Sequence, residues 1–375
     1  MKEKTVSFNN LHKTSDGYLM TFNQSGYDSS IDFVKGICIL LVVWTHCLGG
    51  KIMHWTLFDL WGYPAVPIFL LIQIFHAYKK GLDCVKKVSV KKLWDRIIKP
   101  FAILMATILA INLVFSSESS INILKTAVKQ GGFGPGSYYP YIYVQFAVML
   151  PLIVVLFKKI ENKSVLAAIF IVISILFETV CSVVDIPVWI YRLLCFRYIF
   201  LVFFGVLLIE NKLKINTLTV VLSLISAMAI LYVRFQGHQF NSLPDNFKNI
   251  LVPIFNVDLQ PYFFHAWPQA HWIDYFWDCY LYLFLMLMSY KFVSKYEIIS
   301  NFVQKMGKYS YEIFLFQMFY FTFSHKFFDI LRMLFDSKIL SKGIYIVVST
   351  VVCIGVVLFW KKYITPKVTN VLKAN

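Results

Sequence analysis

The sequence predicts an all-α membrane protein: a polytopic bundle of about ten transmembrane helices with both termini on the cytoplasmic side. Three observations carry that expectation. Of 375 residues, 58% are hydrophobic, 18% aromatic and only 15% charged, and the mean hydropathy is +0.65, a composition foreign to soluble domains. Windows of roughly 17 to 25 mostly apolar residues recur along the whole length. Most of the 36 lysines and arginines fall in every second connection, the pattern expected when basic loops stay on the cytoplasmic side.

Taken in order, residues 1–30 are polar and read as a cytoplasmic leader with no cleaved signal peptide, so the first span would serve as its own insertion signal. The apolar windows then run 32–50, 62–78, 98–115, 138–157, 165–184, 189–209, 216–234, 272–293, 309–328 and 343–361. The second is interrupted by Gly62, Pro64 and Pro67 and carries Gln73 and His76, yet dropping it would invert every loop downstream. The inner connection 79–97 alternates basic and apolar residues, which suits a short interfacial helix. Two long outer connections, 116–137 with Gly-Gly-Phe-Gly-Pro-Gly-Ser and 235–271 with His238, Asp245, Asp258, His265, Trp267 and His271, are placed to fold over the outer mouth.

No repeat and no flexible linker divides residues 31–363, which read as one transmembrane domain followed by a basic tail, 364–375. The seven cysteines, Cys38, Cys47, Cys84, Cys181, Cys195, Cys279 and Cys353, include no CxxC pair and mostly lie within spans. They read as packing residues, with neither a disulfide framework nor a metal site. The net charge of +16 is explained by basic loops against an anionic inner leaflet, so membrane lipid is the expected partner and nucleic acid is not needed.

The first span carries the most informative pattern. Asp32, Lys35 and His46 interrupt an otherwise apolar helix. At about 100° per residue, eleven steps from Lys35 return to nearly the same angle at His46, and fourteen steps from Asp32 come within about 40°. Three ionisable groups on one stripe point to a polar cleft rather than a lipid face, because charge in the bilayer is costly.

Around that stripe the sequence resembles the acyltransferase 3 family, over about 31–361. Asp32, Lys35 and His46 match its opening Asp, Arg and His. Val66-Pro-Ile-Phe-Leu-Leu resembles its second-span segment, and Arg96-Ile-Ile-Lys99-Pro100 its Arg-x-x-Arg before a proline. The stretches beginning at Gly134, Phe196 and Gly307 resemble its fourth, sixth and ninth spans. Lys35 and Lys99 stand where arginine is usual, Gln73-Ile74 replaces Ser-Gly, and Gln317 stands where histidine is frequent. Lysine keeps the charge but loses arginine's bidentate fork.

The resemblance implies an integral membrane enzyme that uses acyl-CoA to acylate sugars and other envelope molecules. Lys35, Arg96 and Lys99, at cytoplasmic helix ends, would hold the phosphates of coenzyme A, with ordinary basic-loop residues as the alternative reading. His46 lies about 16 Å deeper than Lys35, comparable to the reach of a pantetheine arm. Its imidazole would act as general base toward an acceptor hydroxyl, or as transient acyl carrier; a structural or channel-lining histidine is the plainer alternative.

Weaker candidates surround these. Asp32 pairs with Lys35 at three residues' separation, a structural role. Glu178, Arg192 and Arg197 form an ion pair between helices or line an acceptor site. Tyr138, Tyr139 and Tyr141, and Trp267, His271, Trp272 and Asp274, either hold a sugar ring or belong to interfacial aromatic belts. Glu312 and Gln317 orient the acceptor or bond between helices. The expected enzyme is thus a multi-pass O-acetyltransferase of the cell membrane, taking acetyl from acetyl-CoA, with no metal, to a hydroxyl of a cell-surface polysaccharide or its lipid-linked precursor. Envelope polysaccharide assembly proteins would be its neighbours. The rival is a transporter or flippase for a lipid-linked glycan, against which the missing internal repeat weighs.

Overall fold

The structure is a computed structural model that describes residues 10–24, 27–48, 50–79, 90–116, 119–183, 186–235, 271–335 and 337–365. Helices make up 81% of the described residues. Five are long and apolar enough to cross a membrane: Ser29–Cys47, Phe58–Ala77, Val90–Phe115, Tyr139–Lys158 and Lys338–Ile364. The remaining predicted windows are helical too, but several are shortened or broken. Most of the connections 79–97 and 235–271, and the basic tail beyond Thr365, lie outside the described residues.

Helix α1 (Ser29–Cys47) starts three residues earlier than the hydropathy window because Asp28 caps it, accepting a hydrogen bond from the Ser30 amide at 2.9 Å. The second window splits at Gly62–Pro64 into Phe58–Trp61 and α2 (Ala65–Lys79). Pro67 falls in the first turn of α2, where its missing N–H costs no helical hydrogen bond. Helix α3 (Lys99–Phe115) is extended backwards by a π-helical turn, Trp94–Ile98, and a turn of α-helix, Val90–Leu93.

The chain divides into two compact units. One comprises residues 1–26, 67–89 and 141–288. Among the described residues it contains the one departure from the all-α expectation: strands β1 (Leu11–Thr14) and β2 (Gly17–Met20) form an antiparallel hairpin, and β3 (Lys214–Ile215) pairs with β2. The pairing joins the polar leader to a segment two hundred residues away. No local pattern reveals such a contact.

In the same unit the sixth window breaks into Val188–Leu193, a 3-10 turn Cys195–Tyr198, and Leu201–Ile209. Gln145 supports the break, its Nε2 donating to the Leu193 carbonyl at 2.6 Å and its Oε1 accepting from the Cys195 amide at 3.0 Å. The eighth window carries a π turn, Trp277–Tyr282, beside which Ser223 and Ser226 donate to the carbonyls of Phe276 and Ile273 at 3.0 and 2.7 Å. Rings of Phe200, Phe203, Phe204, Phe276 and Tyr280 fill the core between these segments.

The other unit comprises residues 27–66, 90–140 and 289–375. Here α1 packs against Glu297–Lys308 most extensively, then against α4 (Ser310–Phe323) and α5 (Lys338–Phe359). The closest crossing is built from small residues. A Cβ at Gly307 would lie 1.6 Å from the Asp32 carbonyl oxygen, and one at Gly36 would lie 2.0 Å from that of Val303. The ninth window, 309–328, is a shorter helix than expected: α4 stops at Phe323, and an amphipathic helix, His325–Leu334, follows Ser324.

Candidate functional site

Asp32, Lys35, His46, Arg96, Lys99, Tyr139, Glu312 and Gln317 fall in the unit that contains α1, whereas Tyr141, Glu178, Arg192 and Arg197 fall in the other. Asp32 and Lys35 form an ion pair, Nζ to Oδ1 2.8 Å, one helical turn apart. Asp32 is 7% exposed and its Oδ2 also accepts from the Tyr27 hydroxyl at 2.8 Å. Just upstream, Ser29 Oγ and the Tyr290 hydroxyl lie 2.8 Å apart, fixing the start of the helix. Asp32 therefore holds the rotamer of Lys35 and offsets its charge, while the Lys35 side chain keeps 23% of its surface open. Tyr27 escaped the sequence reading because it precedes the apolar window.

Helix α1 is continuous from Lys35 to His46, so the eleven-residue interval spans about 16 Å. His46 occupies the last turn. Its ring lies against Phe321 of α4, centroids 5.7 Å apart, and its nitrogens exchange no hydrogen bond with any described residue. A partly buried imidazole that makes no hydrogen bond to a described residue is chemically available for proton transfer.

Arg96 sits in the π turn and Lys99 opens α3; both are exposed. The Tyr311 hydroxyl of α4 donates to the Ile97 carbonyl at 2.8 Å, anchoring the segment that bears both cations. Thus α4 contacts both the Arg96–Lys99 segment and α1.

The glycine-rich turn also closes onto α4. Gly134, at φ +80°, takes a left-handed conformation, and a Cβ there would stand 2.6 Å from the Met318 carbonyl. Gln317 is fully buried; its Nε2 donates to the Pro135 carbonyl at 3.3 Å, and its Oε1 has no partner among the described residues. The Tyr139 ring meets Phe314 at 5.3 Å. Glu312 points elsewhere, into an ion pair with Lys361 at 2.7 Å, which accounts for its charge structurally.

Arg197 belongs to the other unit, in a buried cluster of its own. Its guanidinium lies over the Tyr198 ring, 4.5 Å from the centroid, and donates to the Tyr198 hydroxyl. Tyr275 donates to the Arg197 carbonyl at 3.0 Å, and Tyr191 donates to Glu178 at 2.5 Å, with Arg197 in electrostatic reach of that carboxylate. Arg192 is exposed. Trp267 lies outside the described residues. Among the described residues no three His, Cys, Asp or Glu side chains converge as a metal-binding group. All six described cysteines are buried and free.

Comparison with known proteins bears on the whole of this arrangement. The family model for the acyltransferase 3 domain, described as an acyltransferase domain, matches residues 28–360. Neither curated proteins nor solved structures gave a match. The matched stretch spans both compact units and includes the α1 stripe, the Arg96–Lys99 segment, the glycine-rich turn and α4, and on this ground the chain belongs to the acyltransferase 3 family, a membrane acyltransferase.

Proposed function

We propose that this protein is a multi-pass O-acetyltransferase of the cell membrane that takes acetyl from acetyl-CoA on the cytoplasmic side. The acceptor is a hydroxyl of a cell-surface polysaccharide or its lipid-linked precursor. Ten spans with both termini cytoplasmic place Lys35, Arg96 and Lys99 at the inner rim, where they bind the phosphates of the donor. Lys35 does so from its ion pair with Asp32, and Arg96 and Lys99 from exposed positions.

The observation that carries the reading is His46: an imidazole with no hydrogen bond to any described residue, about 16 Å along one helix from Lys35. In the reaction the acceptor oxygen attacks the thioester carbonyl while His46 takes the hydroxyl proton. The carbon–sulfur bond breaks, and the imidazolium returns the proton to the departing thiolate, leaving coenzyme A as its thiol. An acyl-histidine route divides the same transfer into two steps. The family match favours this reading over a flippase, whose cations would serve a polyprenyl pyrophosphate instead.

The test is the O-acetyl content of purified surface glycans, read by proton NMR from cells carrying the intact gene, a deletion, or His46→Ala at equal membrane levels. Loss of the same acetyl signal in the deletion and in His46→Ala is expected. Unchanged acetylation with reduced glycan export would sink the enzyme reading in favour of the flippase.

A further inference from the structure

Helix α5 opens with two lysines one turn apart, Lys338 and Lys342, and has no acidic residue in its first turn. Lys338 is exposed. Lys342 is half-buried and its ammonium lies over two rings, 4.8 Å from the centroid of Phe328 and 5.0 Å from that of Tyr345. No carboxylate of a described residue stands within ion-pair distance of it. A cation–π contact orients an ammonium but does not neutralise it. Partial burial with no counter-charge is a cost that an incoming anion would relieve.

The surroundings specify the anion further. Tyr345 and Ser324 share a hydrogen bond between hydroxyls at 2.9 Å, and the Tyr320 hydroxyl meets Ser349 Oγ at 3.0 Å. The Tyr320 ring touches Phe321 at 5.1 Å, and Phe321 is the ring against which His46 rests. A band of rings and hydroxyls therefore leads from His46 to Lys342 within one compact unit. The partly exposed Phe328 ring suits the C–H side of a pyranose and the ammonium suits a carboxylate or phosphate, while the buried hydroxyls of Tyr345, Ser324 and Ser349, already paired, hold the platform under the lysine in place.

We propose that Lys342, with Phe328 and Tyr345, forms an acceptor subsite for a sugar that carries a negative charge. The inference rests on the acyltransferase reading for its place in the reaction, but its test does not pass through acyl transfer. A purely structural Lys342, stacked on its two rings, would show no preference between neutral and anionic sugars.

The experiment is thermal unfolding of the purified full-length protein in detergent with glucose, glucuronic acid or glucose 6-phosphate, at matched ionic strength. The wild type is expected to be stabilised by one or both anionic sugars and not by glucose, and whichever acts tells carboxylate from phosphate. In Lys342→Met, which keeps the apolar stem, the apparent affinity for that sugar falls by about tenfold or more, the loss of one charge-assisted contact. Lys342→Arg retains it. Should Lys342→Met fail to fold, Lys342→Gln is read in the same way. Equal shifts with glucose, no shift with any of the three sugars, or an anionic shift that persists without the lysine would overturn the proposal. A protein that binds anionic sugars through Lys342 yet yields no His46-dependent acetylation would leave this subsite standing and remove the enzyme reading.

Discussion

Asp32 illustrates how far a single residue can be read from sequence. Its spacing to Lys35 announces the ion pair, because residues three apart on a helix are neighbours. The Tyr27 hydroxyl on its second oxygen, and the backbone of Gly307 against its carbonyl, come from outside the span and are invisible to periodicity. Those contacts decide what substitution does. Asp32→Asn keeps the shape but removes the counter-charge of a mostly buried lysine, so a loss of about 2 kcal/mol of stability is expected, since an unmet buried polar or charged group costs more than a made pair returns. Asp32→Asn combined with Lys35→Met removes both charges and should recover most of that loss. Thermal melting of the three variants in detergent checks it; a double variant no more stable than Asp32→Asn alone would mean that Asp32 acts through Tyr27 and the helix start rather than through Lys35. His46 is equally legible as a position, whereas the absence of a hydrogen bond from it to any described residue is visible only in the coordinates.

At the scale of elements, the apolar windows located the helices well because hydropathy reports burial and lipid exposure directly. Their interruptions were harder to see. The sixth window looks uniform in hydropathy, but it breaks around Cys195, where Gln145 from another helix satisfies the backbone groups that the break releases. The ninth window is interrupted at Ser324, whose hydroxyl engages Tyr345 of α5. Helix crossings are a further case. Gly307 lies in a stretch that the sequence singles out, yet its physical task, bringing Glu297–Lys308 against the backbone of α1 at Asp32, is geometric. Gly307→Ala must push α1 away by more than an ångström, displacing the helix that carries Lys35 and His46. Gly355 in α5 has nothing within 4 Å of its would-be Cβ. Alanine is accordingly expected to abolish a monodisperse, folded protein at 307 and to be neutral or stabilising by up to about 1 kcal/mol at 355, where helix propensity alone acts. Size-exclusion profiles and melting of the two variants decide this, and equal tolerance at both sites would refute the close crossing.

For the whole molecule, parity is the open physical quantity, since each crossing of the bilayer reverses the side on which the next loop emerges. Three amphipathic helices lie in connections: Ser120–Gln130, Glu297–Lys308 and His325–Leu334. At about 1.5 Å per residue none of them exceeds 18 Å, too short for a hydrocarbon core of about 30 Å. Each exposes apolar side chains, among them Ile121, Ile298 and Met333, which suits a position in the interface rather than across it. With these three set aside, the broken segment Val188–Ile209 is one crossing on which the parity turns. Its continuity is lost at the 3-10 turn, but its length from 188 to 209 and its full burial from Leu201 to Leu208 suit a complete traverse. Ten crossings then put residue 118 outside and residues 160 and 375 inside. Alkaline phosphatase, which is active only outside, is expected to work when fused after 118 and to be silent after 160 and 375, while a fluorescent protein that matures only inside gives the reverse. A silent fusion after 160 combined with active phosphatase at 375 would place an odd number of crossings between them, and a further fusion after 212 would show whether Val188–Ile209 is the segment that turns back.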